Sequence, residues 1–364
     1  MKAPRTSHRS RTALAQGKRT TLKDVARRAG VGLITASRVL REPDKVSPAL
    51  KVRILAAIDE LGYVANQVAS GLASGASRVV PVLIPTLAHS VYVPFLNGVH
   101  TELDRHHYEV LLGTTEYHEQ TEAQLIQTFL GWFPAGVLIA GVDHTPVTRR
   151  RLARAVELGM PVVEFMELTE DPLDINVGFS QHAVGAAVAE FFTRRGYNHI
   201  AYAGAQATLD HRSARRVAGF RAALAARNLP SHYELRSEES FSMALGGRLL
   251  AKLLENFPQI EAVFFANDDL AAGAVLEARR RGISIPERLA VMGFNDLEIS
   301  SAMLPSISTV NVDQANMGRI AAQLLVEKIA GKSPEKTVDT GFRIIERETT
   351  SSSRAAAAGA RIRS

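Results

Sequence analysis

The 364-residue chain is 46% hydrophobic and carries no cysteine. That excludes a disordered chain, a disulfide scaffold, a thiol nucleophile and cysteine-ligated zinc. Its net charge of +6 is unevenly placed: residues 1–77 hold 14 Lys+Arg against 5 Asp+Glu, and the other 287 residues hold 29 against 32, the asymmetry of a polyanion-binding N-terminal module on a near-neutral body.

No apolar run approaches the roughly 20 residues of a membrane span, and the basic stretch from Met1 to Thr20 has no apolar segment of a secretory signal. Residues 1–18 read as a disordered basic tail. At Thr21 the pattern changes. Thr21 and Asp24 have capping-box spacing, and Leu22, Val25, Ala26 and Ala29 form one apolar helical face that Gly30 ends. A second short helix is expected from Leu33 to Leu40. Ser47-Pro48 opens a third, with Ser as N-cap and Pro at the first helical position; Ile54, Leu55, Ile58 and Leu61 are its expected inward face and Gly62 its stop. Three short helices with a glycine turn between the first two describe a helix-turn-helix module over 19–64. Gly30-Val31-Gly32 begins like a dinucleotide-binding loop, but the third glycine is missing and a helix precedes it.

Residues 65–77 form a small-residue linker with Val68 and Leu72 at i, i+4. Beyond it, apolar runs such as Val79–Ile84, Val110–Leu112, Val137–Ile139, Val162–Phe165, Ile200–Tyr202, Ala262–Phe265 and Leu289–Met292 alternate with helix-period segments. This is the pattern of buried parallel strands. The expected fold class is therefore α/β: an all-α headpiece followed by a core, 78–347, of two doubly wound parallel-sheet subdomains. One subdomain takes about 78–178 and 312–339, the other about 179–311 and 340–347. Residues 348–364 read as a disordered tail. Divided this way, the tail through Arg19 carries +6 and residues 78–348 carry −6.

No nucleophile elbow, zinc-binding His-Glu pair or phosphate-binding glycine loop is present, and the 11 histidines have no metal-ligand spacing. The chain is not expected to be an enzyme or to need a cofactor or metal.

Thr21-Leu22-Lys23-Asp24-Val25-Ala26, Ala29-Gly30-Val31, Thr35-Ala36-Ser37-Arg38-Val39-Leu40 and Leu61-Gly62-Tyr63-Val64-Ala65-Asn66 resemble the DNA-binding headpiece of LacI-type transcriptional regulators. Asn267-Asp268-Asp269-Leu270-Ala271-Ala272-Gly273-Ala274 and Val291-Met292-Gly293-Phe294-Asn295-Asp296 look like that family's sugar-binding segments within a periplasmic-binding-protein-like core. His144-Thr145-Pro146, Pro161-Val162-Val163-Glu164 and Leu173–Phe179 look most like the gluconate-operon repressors. The resemblance implies a cytoplasmic homodimer that binds palindromic operator DNA and releases it when a sugar acid, gluconate or a ketogluconate, binds. A neutral-sugar effector or an activating role stays open, as does, more remotely, a sugar-binding transport protein.

For DNA, the resemblance puts Leu33 and Ile34 at base edges, where they can offer only apolar contact to thymine methyls. Thr35 and Ser37 fall near phosphates, Arg38 is able to reach a base or phosphate, Thr21 and Asn66 join the DNA-binding set, and Leu72 matches a leucine that wedges between base steps from the minor groove. Gly32 stands where Ser or Thr usually caps the recognition helix, Ala36 replaces a larger apolar residue, and Ala65 replaces a proline. For the effector, residues after strand ends give Ser90, Tyr92, Phe95, Glu164, Asn267, Asp268 and Asn295. Arg216 matches the family's sugar-gripping arginine and could pair bidentately with a carboxylate. Asn295, where many members carry Asp, removes a negative charge beside an anionic ligand. His144 is a weaker candidate.

Overall fold

The computed structural model describes residues 20–64, 77–88, 90–205 and 209–351. Residues 1–18, the linker residues Asn66 and Leu72, and residues 352–364 lie outside the described residues. The chain divides into two compact units at Gly75/Ala76.

Among the described residues the first unit holds three α-helices, α1 Leu22–Ala29, α2 Leu33–Arg41 and α3 Pro48–Leu61, with a 3-10 turn Pro43–Lys45 between the last two. The Asp24 carboxylate accepts the Thr21 amide at 3.0 Å and the Thr21 hydroxyl at 2.6 Å, tying down the start of α1. Gly30 and Gly62 end α1 and α3 at φ 62° and 56°, the left-handed geometry that favours glycine at a helix stop. Arg53 completes the turn by donating to the carbonyls of Ala29 and Gly30 at 2.9 and 3.1 Å. Val25, Ala29, Val39, Ile54 and Ala57 form the core, with Ile58 and Leu61 packed against it. The expected inward face of α3 is corrected at one position. Leu55 is exposed and Ala57 is buried, because the face that holds Ile54 continues at i+3, i+4 and i+7 and leaves the i+1 position about 100° away.

The second unit contains two parallel sheets. The first holds β1 Val79–Ile84, β2 Glu109–Thr114, β3 Val137–Ala140, β4 Val162–Phe165, β5 Ile175–Gly178 and β11 Thr337–Asp339, in the order β11-β5-β4-β3-β1-β2. The second holds β6 Ile200–Gly204, β7 Glu234–Arg236, β8 Ala262–Phe265 and β9 Ala290–Met292, in the order β7-β6-β8-β9. β10 Thr309–Asn311 and β12 Arg343–Ile345 pair antiparallel with each other where the chain passes between the two sheets. The helices are α4 Tyr92–Arg105, α5 Glu119–Leu130, α6 Pro146–Glu157, α7 Gln181–Arg194, α8 His211–Ala225, α9 Met243–Asn256, α10 Asp268–Arg280, α11 Glu298–Ala302 and α12 Gln314–Ile329.

Three helix pairs make the most extensive contacts: α7 with α8, α4 with α12, and α9 with α10. Each closes through reciprocal glycines. A Cβ on Gly185 would fall 1.8 Å from the Arg216 carbonyl oxygen, and one on Gly219 would fall 2.0 Å from that of His182. Gly98 and Gly318 stand in the same relation, as do Gly246 and Gly273. Such contacts are backbone against backbone, so no side chain can move aside.

The expected C-terminal tail begins too early. Thr349 and Thr350 are fully buried. The Thr349 hydroxyl donates to the Val291 carbonyl at 2.7 Å and accepts the Ser308 amide at 2.8 Å, while Thr350 bonds the Ser308 hydroxyl at 2.7 Å. Apolar periodicity does not register a segment held by hydroxyl hydrogen bonds.

The reciprocal glycine contacts generate a stability prediction. Gly185→Ala gains about 1 kcal/mol of helix propensity, but the clash with backbone should cost ~1–3 kcal/mol more than that gain. Urea unfolding should show a lower midpoint, and an unchanged midpoint would contradict the contact.

Candidate functional sites

In the first unit, α2 presents one exposed face. Leu33 is 50% exposed and Ile34 75% exposed, Arg38 is exposed, and Thr35 and Ser37 are half-buried at its edges. Ala36 and Val39 turn into the core instead. Two large apolar side chains in water at the first turn of a short helix form a surface that gains by covering, and the methyl-lined floor of a major groove can cover it. Among the described residues the Arg38 side chain has no ion pair or hydrogen-bond partner, so its guanidinium is available to a base or phosphate. Thr21 is spent on the cap of α1 through Asp24.

In the second unit, a cleft of about 570 Å³, including its open mouth, lies between the two sheets. Tyr92, Tyr117 and Met166 reach it from the six-stranded side. Arg212, Arg216, Asn267, Asp269, Phe294 and Asn295 reach it from the four-stranded side, and Phe179 and Gln181 stand at a crossover between them. Three helices begin here, capped by Ser180, Asp210 and Asn267, whose side chains accept the amides of Ala183, Ser213 and Leu270 at 3.1, 3.2 and 2.9 Å. Their N-terminal dipoles favour negative charge in the cleft.

Arg216 is 3% exposed. It donates to the Gln181 side-chain oxygen and, at 3.3 Å, to the Ala266 carbonyl, and its guanidinium stacks 3.9 Å above the Phe294 ring. Its Nε has no partner, and among the described residues no carboxylate pairs with it. A buried cation without an anion is costly unless a ligand supplies the charge. Arg212, one turn earlier on α8, is already engaged: it donates to the Tyr92 hydroxyl at 2.8 Å and lies 3.8 Å from Asp210. Burial pushes the Tyr92 phenol up against the pull of Arg212, and burial pushes Tyr117 up further, so both stay protonated donors. Burial also raises the Asp269 carboxyl.

Tyr92, Arg216, Asn267 and Asn295 are therefore brought together as expected. Four other candidates are corrected. Ser90 is exposed beside the start of α4, outside the cleft lining, and its carbonyl accepts the Val93 amide. Phe95 is fully buried, its ring stacked 4.0 Å from Phe165 in the core. Asp268 is buried beneath Gly293, accepting the Thr309 hydroxyl at 2.6 Å and the Leu297 amide at 2.7 Å; burial pushes its carboxyl up to about 8. Of the two, its neighbour Asp269 is the one that lines the cleft, together with Asp210. Glu164 is fully buried and accepts the Leu173 amide at 2.8 Å.

Glu164 belongs to a second cluster. His144 lies between two carboxylates, with Nδ1 3.2 Å from Glu122 and Nε2 3.4 Å from Glu164, the latter at ion-pair distance without hydrogen-bond alignment. Burial alone would lower the imidazole, but the Glu122 hydrogen bond and the two carboxylate charges outweigh it and raise it to about 9. His144 faces a neighbouring cavity that shares Tyr117, Asp210 and Arg212 with the cleft.

Arg212, Tyr117, Gln181 and Asp269 were not among the expected effector residues. Arg212 had a visible signal, its i, i+4 relation to Arg216. The choice between Asp268 and Asp269 had none, because both occupy the first turn of α10 and only the tertiary packing decides which one faces inward.

The profile of bacterial regulatory proteins of the lacI family matches residues 21–66, and that of the periplasmic binding protein-like domain matches residues 189–350. The chain is 42% identical over 334 residues to the HTH-type transcriptional regulator GntR of Pseudomonas aeruginosa, covering 91% of this chain and 96% of that one. The crystal structure of a LacI-family transcriptional regulator from Silicibacter pomeroyi superposes with a TM-score of 0.86 at 31% identity, covering 92% of this chain and all of that one. The structure of the transcription regulator GntR from Chromobacterium violaceum gives 0.71 at 37% identity, covering 75% and 99%.

The His144 cluster sets a pH dependence. Because its folded value lies above the ordinary 6.5, its contribution is fully present below pH 6.5 and is lost as pH rises through about 9. Urea unfolding should show His144→Gln removing on the order of 2 kcal/mol of that loss between those limits; an identical pH slope in the variant would refute the assignment.

Proposed function

The chain belongs to the LacI family of bacterial regulatory proteins and is a DNA-binding transcriptional regulator, and we propose that it is a homodimeric repressor released from a palindromic operator by a sugar acid such as gluconate or a ketogluconate. The observation that carries the effector class is Arg216, a buried guanidinium stacked on Phe294 whose Nε has no partner and which has no carboxylate of its own among the described residues. A ligand carboxylate completes its coordination. Asp269, Asn267 and Asn295 then offer acceptors and donors to the hydroxyls of the remaining chain. Arg212 has Asp210 at ion-pair distance and the Tyr92 hydroxyl as acceptor, so Arg216 is the cleft arginine left without an anion among the described residues. A neutral sugar would leave Arg216 uncompensated.

On the DNA side, each protomer would set α2 in the major groove of one half-site. Leu33 and Ile34 would meet thymine methyls, and Arg38 would supply the hydrogen bonds that discriminate bases. Effector closing on both subdomains would change their relation and weaken operator binding. By linkage, operator must weaken effector binding by the same factor.

Two measurements test these roles. D-gluconate should raise the melting temperature of the wild type and D-glucose should not. Arg216→Ala should lose the gluconate shift while keeping operator affinity, and normal gluconate binding by that variant would remove Arg216 from the site. In gel-shift titrations Arg38→Ala should lose about 1–3 kcal/mol of specific binding while still binding random duplex; a uniform loss on both duplexes would make Arg38 a phosphate contact only.

A further inference from the structure

We propose that Arg215 is a positioning residue for effector binding: forked onto Asp143 and Glu167 across the mouth of the cleft, it holds the two subdomains in the relation in which Arg216 meets the ligand. The inference rests on the reading of the cleft as the effector site.

Consecutive residues of a helix point about 100° apart. On α8, Arg216 therefore enters the cleft while Arg215 crosses its rim. Asp143 follows β3 and Glu167 follows β4, both strands of the six-stranded sheet, whereas α8 follows β6 of the other. Arg215 Nη1 donates to Asp143 at 2.7 Å and to Glu167 at 2.7 Å, and Nη2 donates to the second Asp143 oxygen. The fork on Asp143 is bidentate, and bidentate pairs fix orientation as well as distance. Burial would raise the Asp143 carboxyl, but the Arg215 hydrogen bond and charge outweigh it and lower the value, so this arm stays charged. Glu167 is nearly fully buried, which pushes its carboxyl up to about 7; Arg215 and Arg212 pull it down, and Asp143 and Asp210 push it up. The Asp143 arm is thus constant, and the Glu167 arm tightens as that carboxyl ionises.

None of the three groups lines the cleft between the sheets, so their effect on affinity runs through subdomain geometry and through their field rather than through contact, and Arg215→Lys, which keeps the charge, separates the two. A preorganised cleft spares the ligand the work of closure. Calorimetric titration of the full-length protein with D-gluconate should show Arg215→Gln weakening affinity about tenfold and Asp143→Asn, from the other side of the cleft, weakening it comparably. The double variant should lose no more than either single one, and Arg215→Lys, which keeps the charge without the fork, should fall between wild type and Arg215→Gln. Unchanged affinity in Arg215→Gln, or losses that add in the double variant, would overturn the proposal.

Ligand-free hydrogen exchange separates this idea from the effector assignment. In Arg215→Gln the amides of residues 90–95 and 293–297 should exchange several-fold faster while those of β6 and β8 do not change. If the wild type fails to bind D-gluconate, the effector reading fails and exchange alone decides: unchanged exchange in the cleft segments overturns the latch.

Discussion

At Gly185 and Gly219, α7 and α8 touch backbone to backbone, and the position of Arg216 depends on that contact. The Arg216 carbonyl is the atom a Cβ on Gly185 would strike. The residue whose guanidinium enters the cleft, and which we propose meets the ligand, is therefore also the one whose main chain sets the spacing of the helix pair. Gln181, which receives that guanidinium, lies on the first turn of α7. Helix spacing and ligand geometry are one constraint.

The same helix distributes three of its four arginines about the cleft by its pitch alone. Arg212 and Arg216, one turn apart, face the cleft; Arg215 faces its rim. One of them contacts the hydroxyl of Tyr92, one a pair of carboxylates, and one is held only by an amide oxygen, a carbonyl and an aromatic face. Charge balance separates their roles. The two that bridge to the opposite subdomain are neutralised by protein groups, and the one left unbalanced is aimed at the space between.

Much of this was legible in the sequence where a local rule applied. Helix stops at Gly30 and Gly62, the Ser47-Pro48 start, and the buried runs at 79–84, 162–165 and 262–265 follow from left-handed geometry, capping and burial on both faces of a sheet. Tyr92, Arg216, Asn267 and Asn295 were legible from strand ends and resemblance. What was not legible depended on contacts between distant segments. Asp268 resembles a ligand residue until Thr309 and Leu297 are seen to consume its oxygens. Phe95 stands close to a strand end in sequence, yet it is taken up by Phe165. The short strands at 309–311 and 343–345 have too few residues for periodicity to register, and Thr349 and Thr350 are held by hydroxyls that no apolar pattern reveals.

Those last two strands have a mechanical meaning. Because β10 and β12 are bonded to each other, the passage between subdomains at that point is a two-stranded ribbon, and Ser308 is pinned at its end by Thr349 and Thr350. A paired ribbon resists splaying and sliding, which would break its hydrogen bonds, but yields to torsion, the deformation every sheet already contains. Torsion is therefore the relative displacement of the two lobes that this ribbon opposes least. At this passage a force drawing the lobes together meets strands that twist before they part.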